Sequence, residues 1–296
     1  MSYKSGFVAI IGQPNAGKST LLNTIMTEKV AIVSDKAQTT RQSIRGILTT
    51  NDYQIVFIDT PGIHEPKDDF GRFMNKTSYG SIEGVEVIYF ISDAKRSLNF
   101  HEKQILNRLQ ISPDQKIYCV VIKIDEISSI ELIKILENLQ NAYKFDEIIP
   151  ISAKTKENVD RLLKITLDQI QEGPQYFSND EIVDYKKSFQ IKEIIREKVL
   201  YVTEDEIPHL TEVLVENIEE QEDAVVIDAL LVVSKESMKP IIIGKHGQMI
   251  AKITRLARKD IRKIFNKPID LQLYVKVEKD WRSKQRIMSD LGYMDE

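Results

Sequence analysis

The stretch of sequence that decides the fold is Gly12-Gln13-Pro14-Asn15-Ala16-Gly17-Lys18-Ser19, between an apolar run at 7–11 and a helical pattern that begins at Lys18. A strand, a glycine-rich turn and a helix in this order form the context of the phosphate-binding pattern GxxxxGK[ST]. In that pattern the backbone N–H groups of the turn and the positive end of the helix bind oxyanions. Lys18 can reach the terminal phosphates, and the Ser19 hydroxyl can bind magnesium. We therefore predict a nucleotide-phosphate site, against the alternative of an ordinary strand-to-helix turn.

Apolar runs and helical patterns alternate after this turn. Alternation of this kind predicts an α/β fold, a P-loop domain with a mostly parallel sheet covered by helices on both faces. In such a sheet, ligands bind at the carboxyl ends of the strands. We assign residues 1–172 to this nucleotide-binding domain. The apolar runs lie at 44–49, 53–58, 85–91, 117–124 and 148–151, and the helical patterns lie at 102–109, 130–143 and 159–170.

The alternation stops at 173–188, where Gly173 and Pro174 precede aromatic and charged residues without a sustained period. We predict a linker here. A different order of elements follows, which predicts a small α+β domain over 189–296. Its predicted elements are a helix at 189–202, strands at 211–218 and 224–233, a helix at 247–265, a strand at 269–277 and a short terminal helix from about 280.

The charge of the chain is unevenly distributed. The formal net charge is −4, but residues 239–290 contain fourteen Lys or Arg and five Asp or Glu, a net charge of +9. The rest of the chain therefore carries −13. A basic module joined to an acidic one suggests that only the basic module binds a polyanion such as a nucleic acid.

Composition also bears on location. The N-terminal residues show no succession of a basic segment, an apolar segment and a cleavage site. The longest apolar runs, at 117–122 and 224–233, are shorter than the roughly 18 residues that a membrane span needs. Cys119 is the single cysteine and can form no disulfide within the chain, which fits a reducing cytoplasm. We expect a soluble protein with Cys119 buried in a strand.

Three further motifs follow the first turn in the order that a guanine-nucleotide site needs. The first, Asp59-Thr60-Pro61-Gly62, ends a predicted strand and fits DxxG. Its carboxylate can hold magnesium through water, and the Gly62 N–H can contact a γ-phosphate. The last, Ser152-Ala153-Lys154, follows a predicted strand and supplies a backbone N–H that can contact guanine O6.

The middle motif, Lys123-Ile124-Asp125, is a candidate for selecting the base. An aspartate at its end can accept hydrogen bonds from the N1–H and the N2 amino group of guanine. Adenine has an acceptor at that ring nitrogen and no N2 amine. A mispaired carboxylate costs about 1–3 kcal/mol, which is enough for selection. The alternative is that Asp125 caps the helix that follows.

Together these residues resemble the translation-factor-like class of GTPases, in the branch with GxPNxGKS, QTTR and DTPG. The resemblance implies GTP, GDP and Mg²⁺ as ligands. Thr40, next to Thr39, matches the loop threonine that completes the magnesium shell only when the γ-phosphate is present. Two ordinary loop threonines are the alternative. The nucleotide-binding residues that the resemblance implies are Gly12, Gln13, Pro14, Asn15, Ala16, Gly17, Lys18, Ser19, Thr20, Asp59, Thr60, Pro61, Gly62, Ile122, Lys123, Asp125, Ser152, Ala153 and Lys154, and the metal ligands are Ser19, Thr40 and Asp59.

The resemblance also bears on hydrolysis. Ile63 follows the DxxG motif, where Ras-like proteins carry the glutamine that positions water, so no side-chain base is visible. Related GTPases with an apolar residue here are slow alone and often use the loop asparagine, here Asn15, to hold a potassium ion beside the phosphates. His64 is an alternative base, although a surface-loop histidine is the simpler interpretation. The implied catalytic residues are Lys18, Asn15, Thr40 and Gly62.

One position departs from the pattern of these GTPases. Their guanine-reading motif is NKxD, and Ile122 replaces its asparagine in this chain. That asparagine normally binds N7 of the base and ties the loop to the phosphate-binding turn. The departure predicts that guanine binds through Asp125 but is held more weakly. The alternative is that Ile122 packs under the base and the loop has adjusted around it.

A second glycine motif, Gly244-Lys245-His246-Gly247, lies in the basic part of the chain and fits the IGxxG core of a KH domain. Glycine is needed twice because a single strand of RNA passes close to the backbone there. We expect a strand or turn before the motif and a helix with a basic solvent face after it. A helix with an ordinary charged face is the alternative. The candidate RNA-binding residues are Gly244, Lys245, His246, Gly247, Lys252 and Arg255.

The order helix, strand, strand, GxxG, helix, strand is that of the bacterial, type II KH domain. A GTPase domain followed by such a domain resembles the Era-type bacterial GTPases over essentially the whole chain. The resemblance implies binding to the 3′ end of small-subunit ribosomal RNA during assembly of the small ribosomal subunit. It also implies a cytoplasmic location with some peripheral association with the inner membrane, and we expect a monomer. The rival hypothesis is a non-catalytic RNA-binding adaptor whose nucleotide domain is structural.

Overall fold

The alternation of apolar runs and helices forms a six-stranded sheet in the computed structural model, which describes residues 2–293. The strands are β1 (Lys4–Gly12), β2 (Ile44–Thr49), β3 (Tyr53–Asp59), β4 (Val87–Asp93), β5 (Lys116–Ile122) and β6 (Glu147–Pro150). Their order is β2-β3-β1-β4-β5-β6, with β2 antiparallel to β3 and the other four neighbouring pairs parallel. The predicted mostly parallel sheet is confirmed.

Helices cover this sheet on both faces. Consecutive residues of β1 from Val8 to Ile11 are fully buried, which requires cover on each side because neighbouring side chains of a strand point to opposite faces. The helices are α1 (Lys18–Met26), α2 (Asp69–Gly80), α3 (Phe100–Arg108), α4 (Ser129–Ala142) and α5 (Val159–Gln169).

The strand order places four chain segments along one edge of the sheet. β1 lies between β3 and β4, so the turn that follows β1 opens where the strand order reverses. Asp59 ends β3, Asp93 ends β4 and Ile122 ends β5. Ligands of open α/β sheets bind at this edge. The fold therefore brings the sequence motifs to the position where a ligand is expected.

The stretch 173–184, predicted as part of a linker, packs along the first sheet instead. The Gly173 N–H donates to the Tyr3 carbonyl oxygen at 3.1 Å, and Val183 pairs with Gly46 in a β-bridge. Backbone hydrogen bonds of this kind leave no apolar period in a sequence. The boundaries predicted at 172 and 188 therefore differ from those of the two units that the chain forms. The first unit comprises residues up to 65 and 73–184, and the second comprises 66–72 and the residues from 185.

The second unit is an α+β domain with a three-stranded sheet. Its elements are α6 (Lys187–Val202), β7 (Thr211–Glu220), β8 (Val225–Val233), α7 (Met238–Ile243), α8 (Gln248–Phe265), β9 (Ile269–Val277) and α9 (Gln285–Asp290). β8 is central, antiparallel to β7 and parallel to β9. α6 and α8 pack with this sheet through a core that includes Ile191, Ile195, Ile253 and Ala257. Among the described residues, no helix combines the length and the apolar character needed to cross a membrane.

Two helices lie where the sequence predicts none. A strand or turn is expected before Gly244, but Met238–Ile243 forms α7. Its three consecutive isoleucines favour a strand, and the segment is too short for a helical period to appear. The polar segment Asp69–Gly80 forms α2, with Phe70 and Met74 buried. Phe70, Phe73 and Met74 have the i, i+3, i+4 spacing of one helical face, but the prediction missed this short signal among polar residues.

The helix α2 belongs to both units, because its first turn lies in the second unit and the remainder lies in the first. Within the second unit, the Phe70 ring centroid lies 5.1 Å from that of Trp281 and 4.8 Å from that of Tyr293. Asp68, just before the helix, accepts a hydrogen bond from the Arg282 guanidinium at 2.7 Å. The chain that follows the DTPG motif is therefore part of the aromatic core of the second unit.

Candidate nucleotide site and nucleic-acid interface

The turn after β1 forms one wall of a pocket at the carboxyl edge of the first sheet. The loop at 32–40, Gly62 and Lys123 form the other walls. The predicted residues that line this pocket are Pro14, Asn15, Gly17, Lys18, Ser19, Thr20, Thr40, Gly62 and Lys123. The predicted residues that do not line it are Gly12, Gln13, Ala16, Asp59, Thr60, Pro61, Ile122, Asp125, Ser152, Ala153 and Lys154. The pocket thus joins the phosphate residues to two of the three metal candidates, while most of the base-reading residues lie in neighbouring loops.

Lys18 is buried at the start of α1, with 5% of its surface exposed. Its ammonium donates to the carbonyl oxygens of Gly12 at 3.3 Å and Gln13 at 2.9 Å. Burial lowers the pKa of Lys18 to about 8, although the Asp59 carboxylate opposes this shift. A buried ammonium with a lowered pKa lacks a full counter-charge, which the phosphates of a nucleotide would supply.

The three predicted metal ligands lie together. The Ser19 hydroxyl donates to Asp59 Oδ2 at 2.6 Å and lies 2.9 Å from the Thr40 hydroxyl. Asp59 is fully buried, and its Oδ1 has no hydrogen-bond partner among the described residues. Burial raises the pKa of Asp59 to about 6, against the opposing effects of Lys18, Ser19 and Thr40. Two hydroxyls beside a buried carboxylate with one oxygen to spare fit a hard divalent cation such as Mg²⁺.

Two contacts that the motifs do not indicate hold the phosphate-binding turn. The Asn15 side-chain amide donates to the Asp35 carbonyl oxygen at 2.5 Å. Gln13 and Asn99 exchange two side-chain hydrogen bonds, at 2.6 and 3.2 Å. Asn99 is also the N-cap of α3, where it accepts from the Glu102 N–H at 3.0 Å. The start of α3 therefore supports the turn, and sequence reasoning missed it because Asn99 lies outside every motif.

The residues after the DxxG motif contact neighbouring loop atoms. The Ile63 side chain is buried, and its N–H donates to the Gly12 carbonyl oxygen at 3.0 Å. His64 Nδ1 lies 2.9 Å from the Gly62 carbonyl oxygen, and His64 Nε2 lies 3.3 Å from the side-chain nitrogen of Gln38. These contacts connect His64 to loop atoms, in keeping with its interpretation as a loop residue.

The guanine-reading loop begins at the end of β5. Lys123 has a positive φ of 63°, and its ammonium lies 2.7 Å from Asp93 Oδ2. Ile122 is buried against the phosphate-binding turn, since a Cβ added at Gly17 would lie 2.3 Å from Ile122 Cδ1. Asp93 is not among the predicted site residues. Its place at the carboxyl end of a strand is the signal that could have indicated it.

The carboxylate of Asp125 is held by the serine of the third motif. The buried Ser152 hydroxyl donates to Asp125 Oδ1 at 2.7 Å and accepts from the Thr155 N–H at 3.1 Å. The helix α4 begins instead with Ser128 as its N-cap, in a capping box with Glu131. The alternative role of Asp125 as the cap of that helix is therefore excluded, and the second and third motifs form one cluster.

Glu102, in the first turn of α3, should make stability depend on pH. Burial raises the pKa of Glu102 to about 7, although the Leu98 N–H, the Ser92 hydroxyl and the Asn99 N–H favour its charged form. The folded state therefore binds more protons than the unfolded state between pH 4.5 and 7, so the free energy of unfolding falls as pH rises through this window. Glu102→Gln should remove up to about 3 kcal/mol of this fall.

Urea unfolding followed by circular dichroism at pH 5 and pH 7.5 measures the effect. Glu137→Gln, on the exposed side of α4, is the matched control. Its free energy of unfolding should change with pH as that of the parent does. An equal change of unfolding free energy with pH in the parent and in Glu102→Gln would contradict the raised pKa of Glu102.

The second glycine motif forms a tight turn between α7 and α8. Gly244, His246 and Gly247 have positive φ values of 74°, 51° and 75°. A Cβ on Gly244 would lie 2.7 Å from the Cβ of Met249, so a larger residue does not fit there. The side chains of Lys245 and His246 are exposed. The turn therefore offers backbone and two polar side chains to solvent, as contact with a nucleic-acid backbone requires.

A groove of about 690 Å³ lies between α8 and β9. Of the predicted RNA-binding residues, Arg255 lines this groove, whereas Lys252 is exposed elsewhere on α8. The groove combines apolar and basic side chains, which suits stacked bases beside phosphates. The apolar side chains are Ile250, Ala251, Pro268, Ile269 and Leu273, and the basic ones are Arg255, Arg258, Lys259 and Arg262.

Known families match both parts of the chain. Residues 7–123 match the family described as 50S ribosome-binding GTPase, and residues 206–282 match the KH domain. The chain is 44% identical to the GTPase Era of Leuconostoc citreum (strain KM20) over 297 residues, which covers 100% of this chain and 98% of the relative.

Two solved structures share the fold over nearly the full length. A crystal structure of Era in complex with MgGDPNP and nucleotides 1506–1542 of 16S ribosomal RNA has a TM-score of 0.95 and is 36% identical, covering 99% of this chain and 100% of the other. A Tyr-to-Ala variant of Era from Aquifex aeolicus, bound to GDP and AlF4⁻, has a TM-score of 0.94 with the same identity and coverage.

A P-loop GTPase domain followed by a type II KH domain is therefore the class of protein that the fold and its two sites define. The fold class predicted from the sequence is confirmed. The match to the Leuconostoc protein extends over the whole length of the chain, well beyond the motifs of the two sites. The chain belongs to the Era family of GTPases.

Proposed function

We propose that this protein is a GTP-hydrolysing switch that binds the 3′ end of small-subunit ribosomal RNA and assists assembly of the small ribosomal subunit. The observation that carries the proposal is the full-length match to Era, because one Era structure contains both MgGDPNP and nucleotides of 16S ribosomal RNA. The phosphate pocket and the basic groove described above support the proposal, because such a complex needs one site for nucleotide phosphates and one for RNA.

In this proposal the phosphates of GTP or GDP bind on the turn after β1. The Lys18 ammonium, which donates to two carbonyl oxygens of this turn, would contact the β- and γ-phosphates. Asp125, fixed by Ser152, accepts from the N1–H and N2 groups of guanine. Ser19, Thr40 and Asp59 would hold Mg²⁺, which would supply positive charge beside the phosphates.

Hydrolysis transfers the γ-phosphoryl group to water. The water oxygen forms a bond to phosphorus while the bond to the bridging oxygen breaks, which yields GDP and inorganic phosphate. Because Ile63 is buried and apolar, we assign the contact with the transferred group to the backbone N–H of Gly62. Asn15, whose side-chain nitrogen is held by Asp35, would offer its side-chain oxygen to a potassium ion. Slow turnover of the protein alone follows from this arrangement.

RNA binding in this proposal uses the glycine turn and the groove beside α8. Backbone phosphates lie against Gly244–Gly247, and bases enter the groove where Arg255 contributes charge. We further propose a cytoplasmic monomer that associates peripherally with the inner membrane. The net charge of +9 over residues 239–290 supports contact with polyanions on this part of the chain.

Phosphate release from GTP tests the proposed switch. We expect slow release in sodium buffer, faster release in potassium buffer, and a further change when single-stranded RNA with the 3′-end sequence of 16S ribosomal RNA is added. ATP in place of GTP is the matched control and should give no release above the protein-free rate. Release that stays at the protein-free rate in every buffer, with RNA still bound, would favour the non-catalytic adaptor.

A further inference from the structure

The guanine-reading loop touches the phosphate-binding turn without the asparagine that joins them in related GTPases. Ile122 is 2% exposed, and Gly17 has a positive φ of 99° that turns its bare α-carbon toward the isoleucine. A Cβ at Gly17 would lie 2.3 Å from Ile122 Cδ1, so the two residues are in van der Waals contact. An apolar contact therefore lies where the related proteins have hydrogen bonds.

Lys123 adds a polar connection between the same two segments. Its ammonium lies 3.4 Å from the Asn15 carbonyl oxygen on the turn and 2.7 Å from Asp93 Oδ2 at the end of β4. The Asp93 side chain is 6% exposed and that of Lys123 is 34% exposed. A partly buried pair of this kind is screened less by salt than a surface pair. The lysine is therefore anchored at its charged end by a carboxylate outside the loop.

Asp93 is itself fixed by further donors. Its carboxylate accepts from the Lys95 N–H at 3.0 Å and from the Arg96 guanidinium at 3.2 Å. Burial would raise the pKa of Asp93, but the hydrogen bonds from Lys123 and Lys95 outweigh burial and leave the pKa below its usual value. The anchor is therefore a charged group in one orientation at neutral pH.

We propose that Asp93 is a positioning residue for guanine nucleotides, which holds Lys123 against the phosphate-binding turn in a chain where Ile122 cannot form the polar tie. The inference rests on the proposed function, because it concerns the same nucleotide site. With Lys123 fixed at both its backbone and its ammonium, the backbone that carries Asp125 is fixed as well. Asp93 thus acts on guanine affinity without touching the nucleotide.

The same geometry changes the expectation for the missing asparagine. Hydrogen bonds alone predict that Ile122→Asn would tighten GDP by about tenfold. The substitution would also remove the contact with Gly17 and place an amide in a buried apolar position, which carries a cost of its own. We therefore expect the GDP affinity of Ile122→Asn to stay level or fall.

Asp93→Asn is the direct test, because the amide keeps the shape and an acceptor oxygen for the Lys95 N–H while it loses the charge. We expect GDP to bind about tenfold more weakly and to dissociate faster, as the loss of a hydrogen bond between charged groups implies. Arg96→Ala is the matched control. It removes the other cation that contacts the Asp93 carboxylate. Because the Arg96 side chain is 57% exposed, its loss should change GDP affinity by less than about twofold. Titration calorimetry gives the affinity, and displacement of fluorescent GDP gives the dissociation rate.

A double-mutant cycle with Lys123→Met separates positioning from general stability. If Asp93 acts through Lys123, adding Asp93→Asn to Lys123→Met weakens GDP no further. Additive losses, or an unchanged GDP affinity in Asp93→Asn, would overturn the proposal. If Asp93→Asn fails to fold, Lys123→Met decides alone, and an affinity within twofold of the parent rejects the inference. Failure of the parent protein to bind GDP would reject the proposed function too, whereas a parent that binds GDP confines any failure to Asp93.

Discussion

Lys18→Ala should lose GTP and GDP binding almost completely, with at least about a hundredfold lower affinity, because two or more charge-assisted hydrogen bonds to phosphates are lost. Among the described residues, the Lys18 ammonium donates hydrogen bonds to two backbone carbonyl oxygens. Alanine cannot replace its charge on the β- and γ-phosphates. Titration calorimetry with GDP and with a non-hydrolysable GTP analogue measures the loss.

The stability of the same variant provides an independent check. Burial lowers the pKa of Lys18 to about 8, so at pH 7 its charge opposes folding of the nucleotide-free protein. The melting temperature of Lys18→Ala should therefore fall below that of the parent only by the amount that the lost packing of the side chain explains. Added GDP should raise the melting temperature of the parent and of Lys134→Ala, a control on the exposed side of α4, and leave Lys18→Ala unchanged. A variant that binds and hydrolyses GTP like the parent would refute the phosphate-loop assignment.

Joint replacement of Lys245 and His246 by aspartate should reduce RNA affinity by at least about thirtyfold at low salt, because two carboxylates then face phosphates instead of a cation and an imidazole. Both side chains are exposed, so the fold should remain intact. Fluorescence anisotropy with a single-stranded RNA and the full-length chain measures the change. The slope of affinity against salt should also become less steep, since fewer phosphates are neutralised.

A matched pair of substitutions separates the position of the charge from its amount. Lys284→Asp with Gln285→Asp changes the net charge equally, at two adjacent exposed residues outside the glycine turn. We expect this pair to weaken RNA binding by less than about threefold, through the general field alone. Equal losses for the two pairs would move the RNA site away from the Gly244–Gly247 turn.

The sequence predicts the site best where a short motif determines its own local structure. The phosphate-binding pattern specifies a strand, a turn and a helix at once, and β1 and α1 flank the turn as expected. The three candidate metal ligands also meet, because Asp59 ends a strand that neighbours β1. By contrast, Asp93 and Asn99 lie in no motif, and their contacts depend on the packing of β4 and α3 against distant segments.

The elements that the sequence did not predict depend on contacts with distant parts of the chain. α2 buries Phe70 against Trp281 and Tyr293, which are more than two hundred residues away in the chain, so the local sequence does not show what its buried face contacts. The stretch 173–184 is held through backbone hydrogen bonds, which any sequence can make. Local sequence patterns do not show which distant residues pack together or which backbone segments pair.

The shared helix α2 imposes an order on synthesis and folding. Phe70 and Asp68 leave the ribosome long before Trp281 and Arg282, since the two members of the ion pair are 214 positions apart in the chain. The first unit can form most of its sheet before the residues that pack against Phe70 are synthesised. The Phe70 ring therefore stays exposed to solvent until the C-terminal residues emerge. Contacts of such long sequence separation slow folding. A nascent chain stalled before Trp281 should therefore present the segment that follows the DTPG motif to proteases and chaperones, whereas the finished chain should protect it.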